Sequence, residues 1–244
     1  MKNILITGVV GGIGKACCKQ LIEDGYFIIG IGRNLDEIPK EWRNDCFAGI
    51  EVDLLSNIDK IPELIENIVD KYGPLDGFVH CAGFDKMVPL GLAKAKDMEK
   101  LWRIHAQVPM LIISTMSKKK RHGENTSIVL ISSQSAHEGA MGHSVYASAK
   151  GAIEGFLPPA SAELMEKNIR INVICFSLVK TKMISGWIEK LTDESKQRLI
   201  NSYPMGLMSV DDAATYITFL LSEKSKYING QIITIDAGHA VRKV

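Results

Sequence analysis

The 244-residue sequence has no apolar run long enough to cross a bilayer, no low-complexity linker and no internal repeat. Its 29 basic and 28 acidic residues leave a formal net charge of +1, which gives no reason to expect nucleic acid or an anionic membrane as a partner. No signal peptide is visible, because Met1 and Lys2 lead directly into a short predicted strand. We therefore expect a cytoplasmic protein that binds neither membranes nor nucleic acid.

Cysteine is also scarce, and its spacing matches neither a CxxC motif nor a His/Cys metal site. The five thiols are Cys17, Cys18, Cys46, Cys81 and Cys175. This usage indicates reduced, mostly buried thiols and no metal.

Short apolar runs alternate with amphipathic helical segments along the whole chain. Strands are predicted at 3–7, 26–32, 47–52, 75–81, 128–131, 169–175 and 231–235. Helices are predicted at 13–24, 57–72, 93–120 with a kink at Pro109, 144–167 bent or broken at Pro158 and Pro159, and 210–221. The pattern predicts an α/β protein: a single Rossmann-like doubly wound domain over residues 1–244. Its seven-stranded, mostly parallel sheet would have helices on both faces. Ligands bind such sheets at the carboxyl ends of the strands.

A glycine-rich turn follows the first strand, at the start of the first helix. Gly8, Gly12 and Gly14 would let the backbone approach an anion, and the helix N-terminus would offer free N–H groups to a phosphate. The spacing differs from the common GxGxxG, so a tight structural turn is the alternative interpretation.

The second strand ends in Gly32-Arg33-Asn34, without the acidic residue that usually takes the ribose hydroxyls of NAD. The guanidinium of Arg33 suits a 2′-phosphate, so we favour NADP(H) as the cofactor and regard NAD(H) as possible. A solvated arginine at a strand end is the competing explanation.

Tyr146 and Lys150 lie four residues apart, on one face of a predicted helix. An ammonium beside a phenol lowers the phenol pKa from about 10, which prepares it for acid/base chemistry. Ser133 ends a predicted buried strand thirteen residues earlier and can reach the same helix face. A lone YxxxK pair occurs by chance in many proteins, so this assignment depends on the other motifs.

Residues 176–204 form a long excursion after the sixth strand, and we expect a substrate lid there. Its apolar residues, among them Trp187, are equally compatible with small-helix core contacts.

Together these features resemble the short-chain dehydrogenase/reductase family over nearly the whole chain. Residues 7–14, TGVVGGIG, match the TGxxxGIG cofactor loop of that family, and Asp53 matches its adenine-ring aspartate. Ser133, Tyr146 and Lys150 match its catalytic residues in type and spacing. The resemblance implies cofactor contacts from Gly8, Gly12, Ile13, Gly14, Arg33, Asp53, Leu54, Ala82, Gly83, Tyr146, Lys150, Val179 and Thr181.

The resemblance also implies a mechanism. NADPH would deliver a hydride to a ketone carbon, and Tyr146 would protonate the developing alkoxide. Lys150 would lower the Tyr146 pKa and bind the nicotinamide ribose. Ser133 would donate a hydrogen bond to the carbonyl oxygen.

Five positions, in three separate segments, depart from the family pattern. His105 replaces an asparagine linked to a proton-relay water, and it would either preserve the relay by titrating near neutrality or merely fill the site. His80 and Cys81 replace two asparagines of the NNAG motif, whose side-chain contacts would be lost, and Phe176-Ser177 replaces a proline-glycine pair.

The nearest overall resemblance is to bacterial 3-oxoacyl-(acyl-carrier-protein) reductases, so the expected substrate is a small-molecule ketone or alcohol, either free or bound to a carrier protein. Lys119, Lys120, Arg121 and Lys167 could meet an acidic carrier, but we favour solvated cations at a helix C-terminus as the explanation of the first three. Two other readings stay open: a sugar or polyol dehydrogenase, and a cofactor-binding protein with little turnover. The family mostly forms dimers and tetramers through two long helices, so the resemblance implies a homo-oligomer, either a tetramer or a dimer. Pro158 and Pro159 lie in one of those helices and could alter the interface.

Overall fold

The computed structural model describes residues 1–43, 45–203 and 205–240. Position 204, the predicted end of the lid, and positions 241–244 of the predicted domain lie outside the described residues. Within the described residues, no helix is both long and apolar enough to span a membrane.

The seven predicted strands form one sheet, in the order β3-β2-β1-β4-β5-β6-β7, and every pairing within it is parallel. The strands are β1 Asn3–Thr7, β2 Phe27–Gly32, β3 Phe47–Glu51, β4 Leu75–His80, β5 His122–Ser133, β6 Ile169–Phe176 and β7 Ile232–Ile235. The chain proceeds from β1 towards one edge and from β4 towards the other. The carboxyl ends of β1 and β4 therefore border the crevice where doubly wound folds bind their ligands.

Helices cover both faces of the sheet, as predicted. They are α1 Gly12–Glu23, α2 Ile61–Tyr72, α3 Ala95–Trp102, α4 Val108–Met116, α5 Ser144–Met165, α6 Lys182–Ile188, α7 Asp193–Ser202 and α8 Val210–Leu221. Leu21 of α1 and Ile217 of α8 pack into one core. Ile65 of α2, Ile112 of α4 and Leu157 of α5 pack into the other. The doubly wound prediction is confirmed, with a sheet that is entirely parallel.

The predicted long helix 93–120 is divided. A π-helical turn, Arg103–Gln107, separates α3 from α4, and Pro109 lies in the first turn of α4. Proline has no N–H and its ring would clash with the carbonyl four residues earlier, here that of His105. A wider turn at this point accommodates both constraints, and such turns often lie at functional sites.

The prediction that Pro158 and Pro159 could break their helix is wrong, because α5 runs without interruption from Ser144 to Met165. Both prolines lie on the exposed face of α5. The carbonyl groups of Glu154 and Gly155, which lose their helical donors, can bind water there.

Candidate active site

A cavity of about 440 Å³ opens at the carboxyl ends of β4, β5 and β6. Nine of the predicted site residues line it: Ile13, Ala82, Gly83, His105, Ser133, Tyr146, Lys150, Val179 and Thr181. These residues come from both halves of the chain. The parallel sheet brings them together because its strands end at the same edge.

The glycine loop lies between β1 and α1, beside this cavity. Gly8 has φ +73°, and a Cβ there would lie 2.6 Å from the backbone N of Ala82. At Gly14 a Cβ would collide with the carbonyl of Gly8. Among the described residues no side chain caps α1, and its first turn contains no acidic residue. The loop therefore leaves a helix N-terminus open to an anion, which fits the diphosphate of a nicotinamide dinucleotide.

The predicted residues at the other end of the cofactor lie outside the cavity wall. Arg33 is exposed directly after β2, and Asp53 and Leu54 follow β3, the neighbouring strand. The Asp53 carboxylate accepts a hydrogen bond from the backbone N–H of Leu55 at 3.0 Å. These three residues lie on the opposite side of the switch point from Tyr146, so a ligand contacting both groups must be extended.

Sequence reasoning missed an acidic residue near Arg33. Glu51, the last residue of β3, pairs with Gly32 in the sheet, and its carboxylate accepts from the N–H of Leu35 at 3.3 Å. The sheet register thus places a carboxylate beside the end of β2. No local motif identifies Glu51, because it reaches this position only through strand pairing.

Ser133, Tyr146 and Lys150 converge at the cavity. The Ser133 hydroxyl lies close enough to the Tyr146 phenol to affect its pKa, and it donates to the Ser135 hydroxyl at 3.3 Å. The Lys150 ammonium donates to the carbonyl of Ile131 at 2.7 Å and lies 5.7 Å from the centre of the Tyr146 ring. The pair lies on one face of α5, as the spacing predicts.

The prediction that Lys150 gives Tyr146 a lowered pKa is wrong. Burial, with the Asp85 carboxylate next in importance, raises the Tyr146 pKa well above 10, and the nearby Ser133 hydroxyl only partly opposes this. Burial lowers the pKa of Lys150 to about 8. Desolvation therefore outweighs the attraction between ammonium and phenolate, and Tyr146 keeps its proton at neutral pH.

His105 lies on the π-helical turn and is buried against the cavity. Its Nε2 pairs with the carbonyl of Phe84 at 2.8 Å, so Nε2 carries the proton and Nδ1 is an acceptor. Nδ1 is buried and has no partner within the described residues. Burial, followed by the charge of Lys150, holds the His105 pKa well below 6.5. The idea that His105 titrates near neutrality is therefore wrong, although a neutral Nδ1 can still accept a hydrogen bond from water.

His80 makes side-chain contacts of its own, contrary to the expected loss at this position. Its Nδ1 accepts from the hydroxyl of Thr7 at 2.9 Å, and its Nε2 donates to the carbonyl of Ile104 at 2.8 Å. Burial lowers its pKa to about 3, so the ring is neutral. His80 thus joins β1 and β4 to the π-helical turn that carries His105.

An imidazole–carboxylate pair in the cavity wall was also missed. His143 Nε2 lies 3.1 Å from Asp85 Oδ2, and both residues line the cavity close to Tyr146. The buried Asp85 Oδ1 and His143 Nδ1 have no partners in the described part of the chain. The only local signal was a histidine three residues before Tyr146.

The excursion after β6 borders the same cavity. Val179 forms a bridge with Met208, and the Thr181 hydroxyl caps α6 by accepting from the N–H of Ile184 at 3.4 Å. Ile184 and Trp187, on α6, both line the cavity.

Comparisons with known proteins agree over almost the full length. A family model described as enoyl-(acyl carrier protein) reductase matches residues 8–240. The 3-oxoacyl-(acyl-carrier-protein) reductase FabG of Thermotoga maritima is 30% identical, with 97% of each chain covered. A diacetyl reductase, (S)-acetoin forming, of Staphylococcus epidermidis is 28% identical, with 99% of each covered.

Solved structures share the fold. The structure of ElxO with NADP bound is 26% identical, has a TM-score of 0.86 and covers 99% of each chain. The complex of 4-hydroxyisoleucine dehydrogenase with NADH is 22% identical, has a TM-score of 0.90 and covers each chain completely. One of these two neighbours thus holds NADP and the other NADH.

Proposed function

The chain belongs to the short-chain dehydrogenase/reductase family of nicotinamide-dependent oxidoreductases, and on that premise we propose that it reduces a ketone to a secondary alcohol with NADPH. The observation that carries the proposal is the convergence of Ser133, Tyr146 and Lys150 on one cavity, with Lys150 one turn from Tyr146 along α5. A bound NADPH would supply the hydride.

The chain's own residues divide the remaining work. The raised pKa of Tyr146 keeps its phenol protonated, so it can give a proton to a developing alkoxide. Ser133 donates a hydrogen bond to the same oxygen. Lys150 would bind the nicotinamide ribose, and the neutral Nδ1 of His105 would accept from a water that resupplies the proton.

The preference for NADPH depends on Arg33. Its exposed guanidinium at the end of β2 can pair with a 2′-phosphate, which NADH lacks. The carboxylate of Glu51 opposes this preference, because it repels a phosphate and can accept from ribose hydroxyls. We propose that Arg33 dominates, since its charge adjoins the strand end directly.

For the substrate we propose a 3-oxoacyl chain, as in the named activity of the Thermotoga relative. Met87, Ile184 and Trp187 give the cavity an apolar wall that suits an acyl chain. The predicted carrier-docking cations do not add support. Lys119, Lys120 and Arg121 precede β5, at the edge of the sheet opposite the cavity, about 40 Å away for a 12-residue strand. Arg121 pairs there with Glu66 at 3.0 Å. Lys167 precedes β6, and its ammonium donates to the carbonyl of Ser117 at 3.0 Å.

A small polar ketone, such as a hydroxyketone, is the second candidate. The unpartnered Asp85 Oδ1 and His143 Nδ1 favour it, because a substrate hydroxyl could satisfy one of these buried atoms and an acyl chain could not.

A ketone panel tests both candidates. Reduction rates with NADPH would be compared for a 3-oxoacyl thioester and for the hydroxyketone acetoin, in the wild type and in Asp85→Asn. A preference for the thioester that Asp85→Asn leaves unchanged supports the first candidate. A preference for acetoin that Asp85→Asn abolishes supports the second. Tight NADPH binding without reduction of either ketone contradicts the proposed reductase.

We also propose that residues 176–203 act as a substrate lid, because α6 brings Ile184 and Trp187 to the cavity from a segment that follows the strand edge. The proposed tetramer is supported by exposed apolar side chains on two surfaces. Leu90, Met98 and Trp102 border a groove beside α5, and Tyr216 and Phe219 lie on α8.

A further inference from the structure

Behind the cavity wall, three potential metal ligands meet from three separate elements. His137 ends the short turn after β5, Glu154 lies on α5, and Cys175 lies near the end of β6. His137 Nε2 lies 3.1 Å from Glu154 Oε2 and 3.7 Å from Cys175 Sγ. Cys175 Sγ lies 3.2 Å from Glu154 Oε1. One donor atom from each residue falls within 4.8 Å of the others.

These separations are close to the distances between ligand atoms around a tetrahedral zinc ion. With Zn–N and Zn–O near 2.0–2.2 Å and Zn–S near 2.3 Å, tetrahedral ligand atoms lie roughly 3.3–3.6 Å apart. Two of the three observed distances are slightly shorter than this range, and the third is slightly longer. The two carboxylate oxygens of Glu154 can exchange by a rotation of the carboxylate group, so a small adjustment would bring all three ligands to one ion.

The neighbouring residues orient the Glu154 carboxylate and leave a route by which an ion could reach it. Ser132 donates its hydroxyl to Glu154 Oε1, which fixes the carboxylate in the way that outer partners orient metal ligands. Cys175 is fully buried and the Glu154 side chain is 10% exposed, whereas the His137 side chain is 48% exposed. An ion could enter on the His137 side, where a water would complete four-coordination.

We propose that His137, Glu154 and Cys175 form a binding site for a Zn²⁺ ion, separate from the substrate cavity. Binding exchanges the Cys175 S–H bond for an S–Zn bond and releases the thiol proton to solvent, with no change in oxidation state. Neutral His137 and ionised Glu154 supply the other two bonds.

The site has a defined structural role. Glu154 lies one turn after Lys150 on α5, and Ser132 precedes Ser133 on β5. The ion would join α5 to the ends of β5 and β6, the three elements that position the proposed catalytic residues. The proposal does not depend on the reductase function, because its test measures metal binding and unfolding.

The test uses the full chain, treated with a chelator and then titrated with zinc chloride by calorimetry. We expect one Zn²⁺ per chain. At a free Zn²⁺ concentration about 100 times the Kd, we expect the Tm to rise by about 5–10 °C. Cobalt(II) at the same site should give a thiolate-to-metal charge-transfer absorption band.

Two variants identify the ligands, and one serves as the control. Cys175→Ser should abolish the cobalt band and the Tm rise, while Cys46→Ser, which removes a partly exposed thiol elsewhere, should preserve both. His137→Ala alters a half-exposed side chain, so it should fold and lose most of the Zn²⁺ affinity even if Cys175→Ser does not fold. No Zn²⁺ uptake by the wild type, or uptake unchanged in His137→Ala, would show that the cluster is only a hydrogen-bonded network.

Discussion

The imidazole of His105 meets the ring of Tyr146 edge-on, with 5.2 Å between the ring centroids and an interplanar angle of 90°. His105 also donates to the carbonyl of Phe84, and its Nδ1 has no partner among the described residues. Nδ1 is thus free to accept a hydrogen bond from a water at the cavity, which is the role that we propose for it.

We predict that His105→Asn keeps kcat within a few fold of the wild type, because an amide can replace the lost donor and acceptor. His105→Leu should lower kcat by about tenfold, the equivalent of one hydrogen bond of roughly 1.4 kcal/mol. Steady-state reduction of the best ketone measures both. Equal rates in His105→Leu and the wild type would assign His105 a packing role only.

The buried neutral histidines predict acid sensitivity. His80 has a pKa of about 3 in the folded protein and an ordinary value of 6.5, so below about pH 6.5 the unfolded chain binds a proton that the folded chain does not bind. The free energy of unfolding therefore keeps its full value above that pH. It falls as the pH drops towards 3, by up to about 1.4 kcal/mol per pH unit for each such histidine.

Between pH 7 and pH 5, the Tm of His80→Asn should therefore fall by about 4–8 °C less than the Tm of the wild type. His122→Asn, which alters a partly buried histidine at the other end of the sheet, is the matched control and should follow the wild type. Parallel melting curves for His80→Asn and the wild type would contradict the shifted pKa.

The cofactor preference is tested by two charges at the ends of β2 and β3. Arg33→Ala should weaken NADPH binding by about 10–100-fold, the loss of one charge-assisted hydrogen bond, and should leave NADH binding nearly unchanged. Glu51→Gln should strengthen NADPH binding, because it removes a repulsive carboxylate. Fluorescence titration measures both, with Trp187 in the cavity wall as a reporter.

Arg121→Ala is the control for removing an arginine at the opposite edge of the sheet, directly before β5. Tighter NADH than NADPH binding by the wild type would reverse the proposed preference and assign the ribose contact to Glu51.

Local patterns were sufficient for the sheet and for the positions of Ser133, Tyr146 and Lys150. Each strand ends in a recognisable turn, and parallel strands end at one edge, so chain order alone brings these residues together. The continuous α5 was not predictable, because the cost of Pro158 and Pro159 depends on which face of the helix is exposed.

The pKa shifts at the site could not be predicted from the sequence, for a different reason. Spacing predicts that Lys150 approaches Tyr146, but the direction of the Tyr146 pKa shift depends on burial, which only the folded cavity sets. The pairing of Asp85 with His143 and the proximity of Glu51 to Arg33 likewise arise between segments that are distant in the chain.

The most direct test of the account is the rate of NADPH-dependent ketone reduction by Tyr146→Phe. Removing the proton donor should lower kcat/KM by at least about 10²–10³-fold, and NADPH binding should stay close to that of the wild type. Tyr216→Phe, which alters an exposed tyrosine on α8, should reduce the ketone at the wild-type rate. Undiminished reduction by Tyr146→Phe would contradict the assignment of Tyr146 as the proton donor and, with it, the proposed active site.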